Sequence, residues 1–497
     1  MVWKVLRSVG RYRAPIAVML FLLFMISTLY LGYLVETHVE MSMLNTTDFG
    51  GIRNVFEKTF YLKGELDEPT HISYAQIVLE NLTIRKTNLT VFNSILLVRG
   101  YSLLTILDGH VRVVRSYIII VYGSELRIDV LDSYLTVEYS NVAVEGGLSL
   151  RGNGYASING CLVDGDEGAL DVEGLREFEL FNSSVDIGYG ISIRICRSVD
   201  ISTANISSKL LIEDSAELIL KQCNISSRLT IRNISTSLAI TNNLFCRPFI
   251  VGGIDTENTQ IIFVENYVRS KPAILITEGG RVETNNYGEV IILGDGIEVC
   301  VKNTYALLIC DSENIHISNS TIGDAYSAIY ILNSNNIRIE NISIFSYWGD
   351  GLIIESSSKV TIENSRLGLQ NPADMRIIGS SEIVLRNFTA LGIGSLLVEH
   401  STNISTYSAV FNLKSYILFN SSKNITLEEV VFNGFAKSPL EDIIQIHNST
   451  EIILNSCAIN NMVFRVDTPP EHSLRLSITN TTIDSKEVLV IGNKENL

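Results

Sequence analysis

The residues best suited to chemistry lie in Ser346-Tyr347-Trp348-Gly349-Asp350-Gly351-Leu352, together with Asp374 and Arg376. Cleavage of a glycosidic bond uses two carboxyl groups, one as general acid and one as nucleophile or base, about 5–9.5 Å apart. Asp350 and Asp374 are the candidate pair. Trp348 is one of only two tryptophans, and with Tyr347 it offers aromatic faces on which a sugar ring can stack. Arg376 follows two residues after Asp374 and adds a cation for substrate binding. The opposing reading is structural, because Asp-Gly is ordinary turn chemistry.

Other candidates are sparser. Asp164-Gly165-Asp166-Glu167, with Asp171 nearby, clusters hard oxygen ligands of the kind Ca²⁺ prefers, without the spacing of an EF-hand. No other cofactor is expected. The seven histidines are scattered and form no cluster with Met or Cys that would suit copper. Seven cysteines show neither a CxxC pair nor metal-ligand spacing, and they read mainly as buried structural thiols. N-x-Ser/Thr sequons are frequent; Asn224, Asn403, Asn424 and Asn448 fall at outward or loop positions and are the candidate glycan acceptors. Asn205, Asn319, Asn341 and Asn387 read instead as parts of an inward turn ladder.

A repeat must position all of these residues. Ser312, Ser334, Ser357, Ser380, Ser401, Ser422 and Ser449 recur at spacings of 22, 23, 23, 21, 21 and 27 residues. Three residues after each serine stands Ile315, Ile337, Val360, Ile383, Ile404, Ile425 or Ile452. Further aliphatic columns run five and ten residues after the serine, and three before it. Apolar residues two apart define one face of a strand, so columns that recur every coil mark strands stacked in register. Seven residues after the serine, Asn recurs at 205, 242, 319, 341, 364 and 387, where a turn backbone suits it. The reading is all-β: a right-handed parallel β-helix solenoid of about 18 coils and roughly 85–90 Å.

Stretches such as AIYILNSNNIRIENISI and GLIIESSSKVTIENSRL resemble the pectin-lyase-like superfamily. Within it they are most similar to the repeats of the periplasmic copper-binding β-helix family tied to nitrous-oxide reductase maturation, and to sugar-hydrolase β-helices. The local Asp350-Gly351-Leu352 string resembles the strand starts of polygalacturonase-like hydrolases. The Asn-Thr-Asp, Gly-His-Gly and Arg-Ile-Lys motifs of those enzymes do not occur here. The resemblance implies the fold and, more loosely, carbohydrate chemistry. One column departs from a simple coil: four residues before the serine, Leu308, Tyr330, Ile353, Leu397 and Leu418 should point outward, interrupted by Arg376. Such a stripe is either a contact face or a surface covered by another part of the chain.

The N-terminus sets the expected location. Residues 1–13 form a basic cytoplasmic tail, and 14–35 are long and apolar enough for one transmembrane helix, a retained signal-anchor. The alternative, a cleaved signal peptide, has a shorter apolar region and a small-residue cleavage site. Residues 36–72 read as stalk and N-terminal cap, 73–461 as the parallel β-helix, and 462–497 as last coil and C-terminal cap. Beyond the anchor the chain carries a net charge of about −20, against nucleic acid as a partner. The expected product is a membrane-anchored, glycosylated extracellular rod for adhesion, envelope organisation or glycan binding, with carbohydrate or another envelope protein as partner. The alternative is a polysaccharide-active enzyme, a glycoside hydrolase, on the same scaffold.

Overall fold

Strands that alternate buried and exposed residues, each followed by a tight turn, stack one coil on the next through almost the whole chain. In this computed structural model the described residues are 58–323, 329–346, 351–369, 374–434, 443–467, 475–484 and 486–487. The architecture is an all-β parallel β-helix of about 18 turns. The basic tail, the apolar run and the first part of the stalk lie outside the described residues. Among those described, no helix is long and apolar enough to cross a membrane. The first solenoid strand, Lys58–Leu66, falls inside the stretch read as stalk and cap, and it already pairs in parallel with the next coil.

The registers in the second half match the repeat column by column. Ile315, Ile337, Val360, Ile383, Ile404, Ile425 and Ile452 are successive partners across six strand pairs. Three residues before each serine, Ile309, Ile331, Ile354, Ile377, Val398, Phe419 and Ile446 do the same. All of these side chains are buried, and Phe411 and Phe432 stack in the same interior with ring centres 5.5 Å apart.

The polar groups of the turns are arranged differently from the sequence expectation. The inward ladder is made of the serines. Each hydroxyl accepts the backbone N–H of the serine one coil earlier: Ser357 from Ser334 at 3.1 Å, Ser380 from Ser357 at 3.2 Å, Ser401 from Ser380 at 3.1 Å. The same hydroxyl donates to the carbonyl two residues before it, as Ser357 does to Glu355 at 2.8 Å. Turn amides that would otherwise be buried and unpaired are thereby satisfied. Asn319, Asn341, Asn364 and Asn387 are exposed, with φ between 47° and 54°. Asn tolerates this left-handed conformation better than other non-glycine residues. They stand outside a different turn of the coil, next to the buried Ser320, Ile342, Ser365 and Phe388.

Cysteines fill the same inward positions in other coils. Cys161 and Cys223 donate to the carbonyls of Asn159 and Lys221, each two residues earlier, and Cys457 does so to Asn455. None of the seven cysteines is paired.

The stack is also not one uninterrupted rod. A first ten-stranded sheet runs from Thr70–Ser73 to Gln260–Val264, and a second runs from Gly280–Asn285 to Leu476–Thr479. Between them Tyr267–Val268 and Lys271–Ile276 pair antiparallel. Two separate cores result. The core of the first solenoid includes not only its own interior but also Ile291, Leu293, Leu308, Cys310, Tyr330, Leu332 and Ile353 from the flank of the second. The apolar outward stripe is therefore a covered surface: the second solenoid's flank closes the open end of the first. Leu397 and Leu418, further along the stripe, are half-buried.

Candidate functional site

Of the predicted carbohydrate site, Tyr347, Trp348 and Asp350 lie outside the described residues. Asp374 stands one coil beyond Gly351, whose N–H donates to the Asp374 carbonyl at 2.9 Å. Its carboxylate is engaged on both oxygens. Oδ1 accepts the Ser395 N–H at 3.0 Å and also the Ser395 hydroxyl, while Oδ2 faces Arg376 Nη2 at 3.2 Å. Those bonds tie the turn before one coil to the turn before the next. Arg376, half-buried between Ile353 and Leu397 in register, is part of that tie.

A better-formed cleft lies in the first solenoid, at the corner between two faces of the coil. Four successive corners present Tyr122-Gly123, Glu145-Gly146, Glu167-Gly168 and Tyr189-Gly190. The residues before these glycines recur at 23, 22 and 22 residues, one per coil. Backbone bonds between coils hold the stack: Glu145 N–H to Ile120 at 3.0 Å, and Tyr189 N–H to Gly168 at 2.9 Å. At Gly146 an added Cβ would collide with the Ser124 carbonyl, and at Gly168 with the Val144 carbonyl. Only glycine lets these two corners approach so closely, and of the glycines here Gly123, Gly146 and Gly147 line the cleft.

The cleft has a volume of about 490 Å³ and is lined by Tyr122, Glu125, Glu145, Ser149, Glu167, Asp171 and Tyr189 with the glycines. Tyr122 is 72% and Tyr189 71% exposed, so their rings stand out at its two ends. No lysine or arginine lines it. Asp164 lies close by, paired in register with Asp186 on the next coil. Burial, then the charges of Glu145, Asp186 and Asp166, pushes the Asp164 carboxyl above the usual carboxylate range.

The structure thus brings Glu167 and Asp171 of the predicted acidic loop together with Glu125, Glu145 and the two tyrosines, which sequence reading missed. The signal was present as the one-per-coil spacing of residue-plus-glycine pairs. As for the Ca²⁺ candidate Asp164, Asp166 and Glu167, among the described residues no group of three His, Cys, Asp or Glu side chains is placed to hold a metal ion. Of the candidate glycan acceptors, Asn224, Asn403 and Asn424 are exposed, with Asn424 Nδ2 donating to Asn403 Oδ1 at 2.9 Å. Asn448 is half-buried, its Nδ2 3.0 Å from His447 Nε2.

No protein-family model matches the chain, and no curated protein matches it. Among solved structures, the crystal structure of tailspike protein 3 of bacteriophage CBA120 aligns at 10% identity over 81% of this chain and 56% of that one, with a TM-score of 0.19. This chain therefore spans little more than half the length of that protein, and so low a TM-score carries no functional argument.

Proposed function

We propose that this chain is a carbohydrate-binding β-helix, held at a membrane by residues 14–35 with its solenoids outside the cell. The observation that carries the binding reading is the corner cleft, where Tyr122 and Tyr189 bracket Glu145 and Glu167. A sugar ring combines an apolar C–H face with a rim of hydroxyl donors. Exposed tyrosine rings meet the first and carboxylates accept from the second. With four carboxylates and no base in the lining, the cleft suits neutral or amino-bearing glycans and repels uronates and sulfated chains. The exposed sequons at Asn224, Asn403 and Asn424 are the proposed glycosylation sites.

Binding of the purified full-length chain to a glycan panel, followed by titration with the best ligand, tests this reading. The double variant Tyr122→Ala/Tyr189→Ala should bind about five- to 150-fold more weakly while melting as the native chain does, since stacked aromatics contribute about 0.5–1.5 kcal/mol each. Unchanged affinity in that variant would place the ligand elsewhere.

A second reading is favoured by one feature of the same cleft. Glu145 and Glu167 occupy adjacent coils, a rise of about 4.8 Å, which is near the carboxyl separation of about 5–5.5 Å in retaining glycoside hydrolases. Release of new reducing ends from a bound glycan, abolished in Glu145→Gln or Glu167→Gln, is the outcome that reading requires.

A further inference from the structure

The two solenoids meet around a buried carboxyl. Glu289 begins the strand Glu289–Ile292 on the flank of the second solenoid, with Ala273 and Ala306 beside it on neighbouring coils. Alternation along this strand sends Val290 and Ile292 into the second core, and Ile291 and Leu293 toward the first. Glu289 shares the parity of Ile291 and so faces the first solenoid. It is 1% exposed. Its Oε2 accepts the backbone N–H of Phe249, from the last coil of the first solenoid, at 3.1 Å. The rest of the seam is apolar: Phe249, Ile250, Leu293 and Leu308 belong to one continuous core.

On the surrounding elements stand Arg232, which acts on the Cys310 thiol, and Arg269, Lys271 and Asp311. Arg269 and Lys271 lie over the Tyr305 ring, at 5.8 and 4.0 Å, and Lys271 also donates to the Asn303 carbonyl at 2.9 Å. Asp311 accepts the Gly253 N–H and, at 3.3 Å, the Asn333 side-chain amide. Cys310 lies against Asp311, its thiol pushed up by burial first and by that carboxylate second. Arg247 is exposed, and Tyr330 is buried in the seam. Among the described residues, the one group shown acting on the Glu289 carboxyl is the Phe249 N–H. Burial, opposed only by the Phe249 N–H, holds its carboxyl well above the usual carboxylate range.

We propose that this seam is a pH-operated closure: the second solenoid's flank caps the first while Glu289 keeps its proton, and the two separate when the proton is lost. Among the described residues an ionised carboxylate in that apolar wall has the Phe249 N–H as its one hydrogen-bond donor, so ionisation is coupled to opening. The sign follows from the weaker acidity of the closed form. Closure is fully favoured at acidic pH. Above the ordinary carboxylate range each pH unit shifts the closed-to-open ratio about tenfold toward open, until the closed form itself ionises.

Amide hydrogen exchange on the full-length chain, corrected for intrinsic rates, reads the seam directly between about pH 5 and about pH 9. Protection of 249–254, 289–293 and 306–310 should fall with rising pH in the native chain, by up to about tenfold per unit, and stay flat in Glu289→Gln. Flat protection in the native chain, or an equal fall in Glu289→Gln, overturns the proposal. Should Glu289→Gln fail to fold, Glu289→Leu serves the same comparison, because an apolar side chain suits that wall. A measurement without variants stands beside it: the radius of gyration of the native chain should grow toward alkaline pH, and a constant radius also overturns the proposal.

Discussion

The two solenoids solve the same stacking problem with different surfaces. The second keeps one column unbroken, an inward serine at one turn of every coil from Ser312 to Ser449, with left-handed Asn recurring at another turn from Asn319 to Asn387 and charged or amide side chains on the flanks. The first varies its coil. Its inward turn positions pass through Ser116, Ser140, Cys161, Ser183, Ala204, Cys223, Asn243 and Asn266. Its surface exposes Tyr61, Tyr74, Tyr101, Tyr122, Tyr134, Tyr139 and Tyr189, and its corners carry the glycine-lined cleft. Tyrosine combines an apolar face with a polar hydroxyl, which suits it to surfaces that meet a part-apolar, part-polar ligand. On the function proposed above, the first solenoid supplies the binding surface and the second the scaffold.

The largest test of this division is a charge in each core. Ile362→Asp in the second solenoid and Ile193→Asp in the first both bury an unpaired carboxylate at a fully buried site, costing on the order of several kcal/mol. Their reach should differ. Loss of the second solenoid removes the cap of the first, so Ile362→Asp should expose both halves to protease, whereas Ile193→Asp should leave a protected fragment from the second. Equal fragmentation would mean the cores are one cooperative unit.

A smaller effect is expected at the ladders. Ser357→Ala strips the acceptor from the buried Ser334 N–H and should cost about 1–3 kcal/mol. Cys161→Ser keeps a donor to the Asn159 carbonyl and should melt within about 0.5 kcal/mol of the native chain. Thermal melting separates the two; a large loss at Cys161 would give the thiol a role beyond that of a serine substitute. The smallest change is Asn341→Ala, which places a residue without a local hydrogen-bonding side chain at φ 54° and should cost about 1 kcal/mol.

The same contrast explains what could be read from the residues alone. Every aliphatic column of 309–459 pairs in the expected register, because a near-constant coil length lets identical positions align. The turn polarity differs from the expectation: at the Asn turn the residue after each Asn faces in, as Ile342 and Ser365 do, while Asn341 and Asn364 face out. The break between the solenoids was invisible because each side continues the same strand pattern. The outward stripe of Leu308, Tyr330 and Ile353 announced a covered surface, yet nothing local could reveal that it joins the core of the first solenoid of the same chain. At the cleft, Glu167 and Asp171 were legible as an acidic loop. Tyr122, Glu125, Glu145 and Tyr189 belong to other coils, and the eye looks along a loop rather than down a column.

The serine ladder also gives the molecule a direction in time. Ser334 offers its N–H to a hydroxyl on Ser357, and Ser357 offers its own to Ser380, so every coil is completed by the one translated after it. A chain emerging N-terminus first, at about 5–20 residues per second, always carries one unfinished coil at its growing end. For the first solenoid the wait is longest, since Phe249 and Ile250 find their cover only when residues as late as Ile353 have appeared. Until then an apolar end stands open to water, and whatever escorts the nascent chain must shield it through that interval.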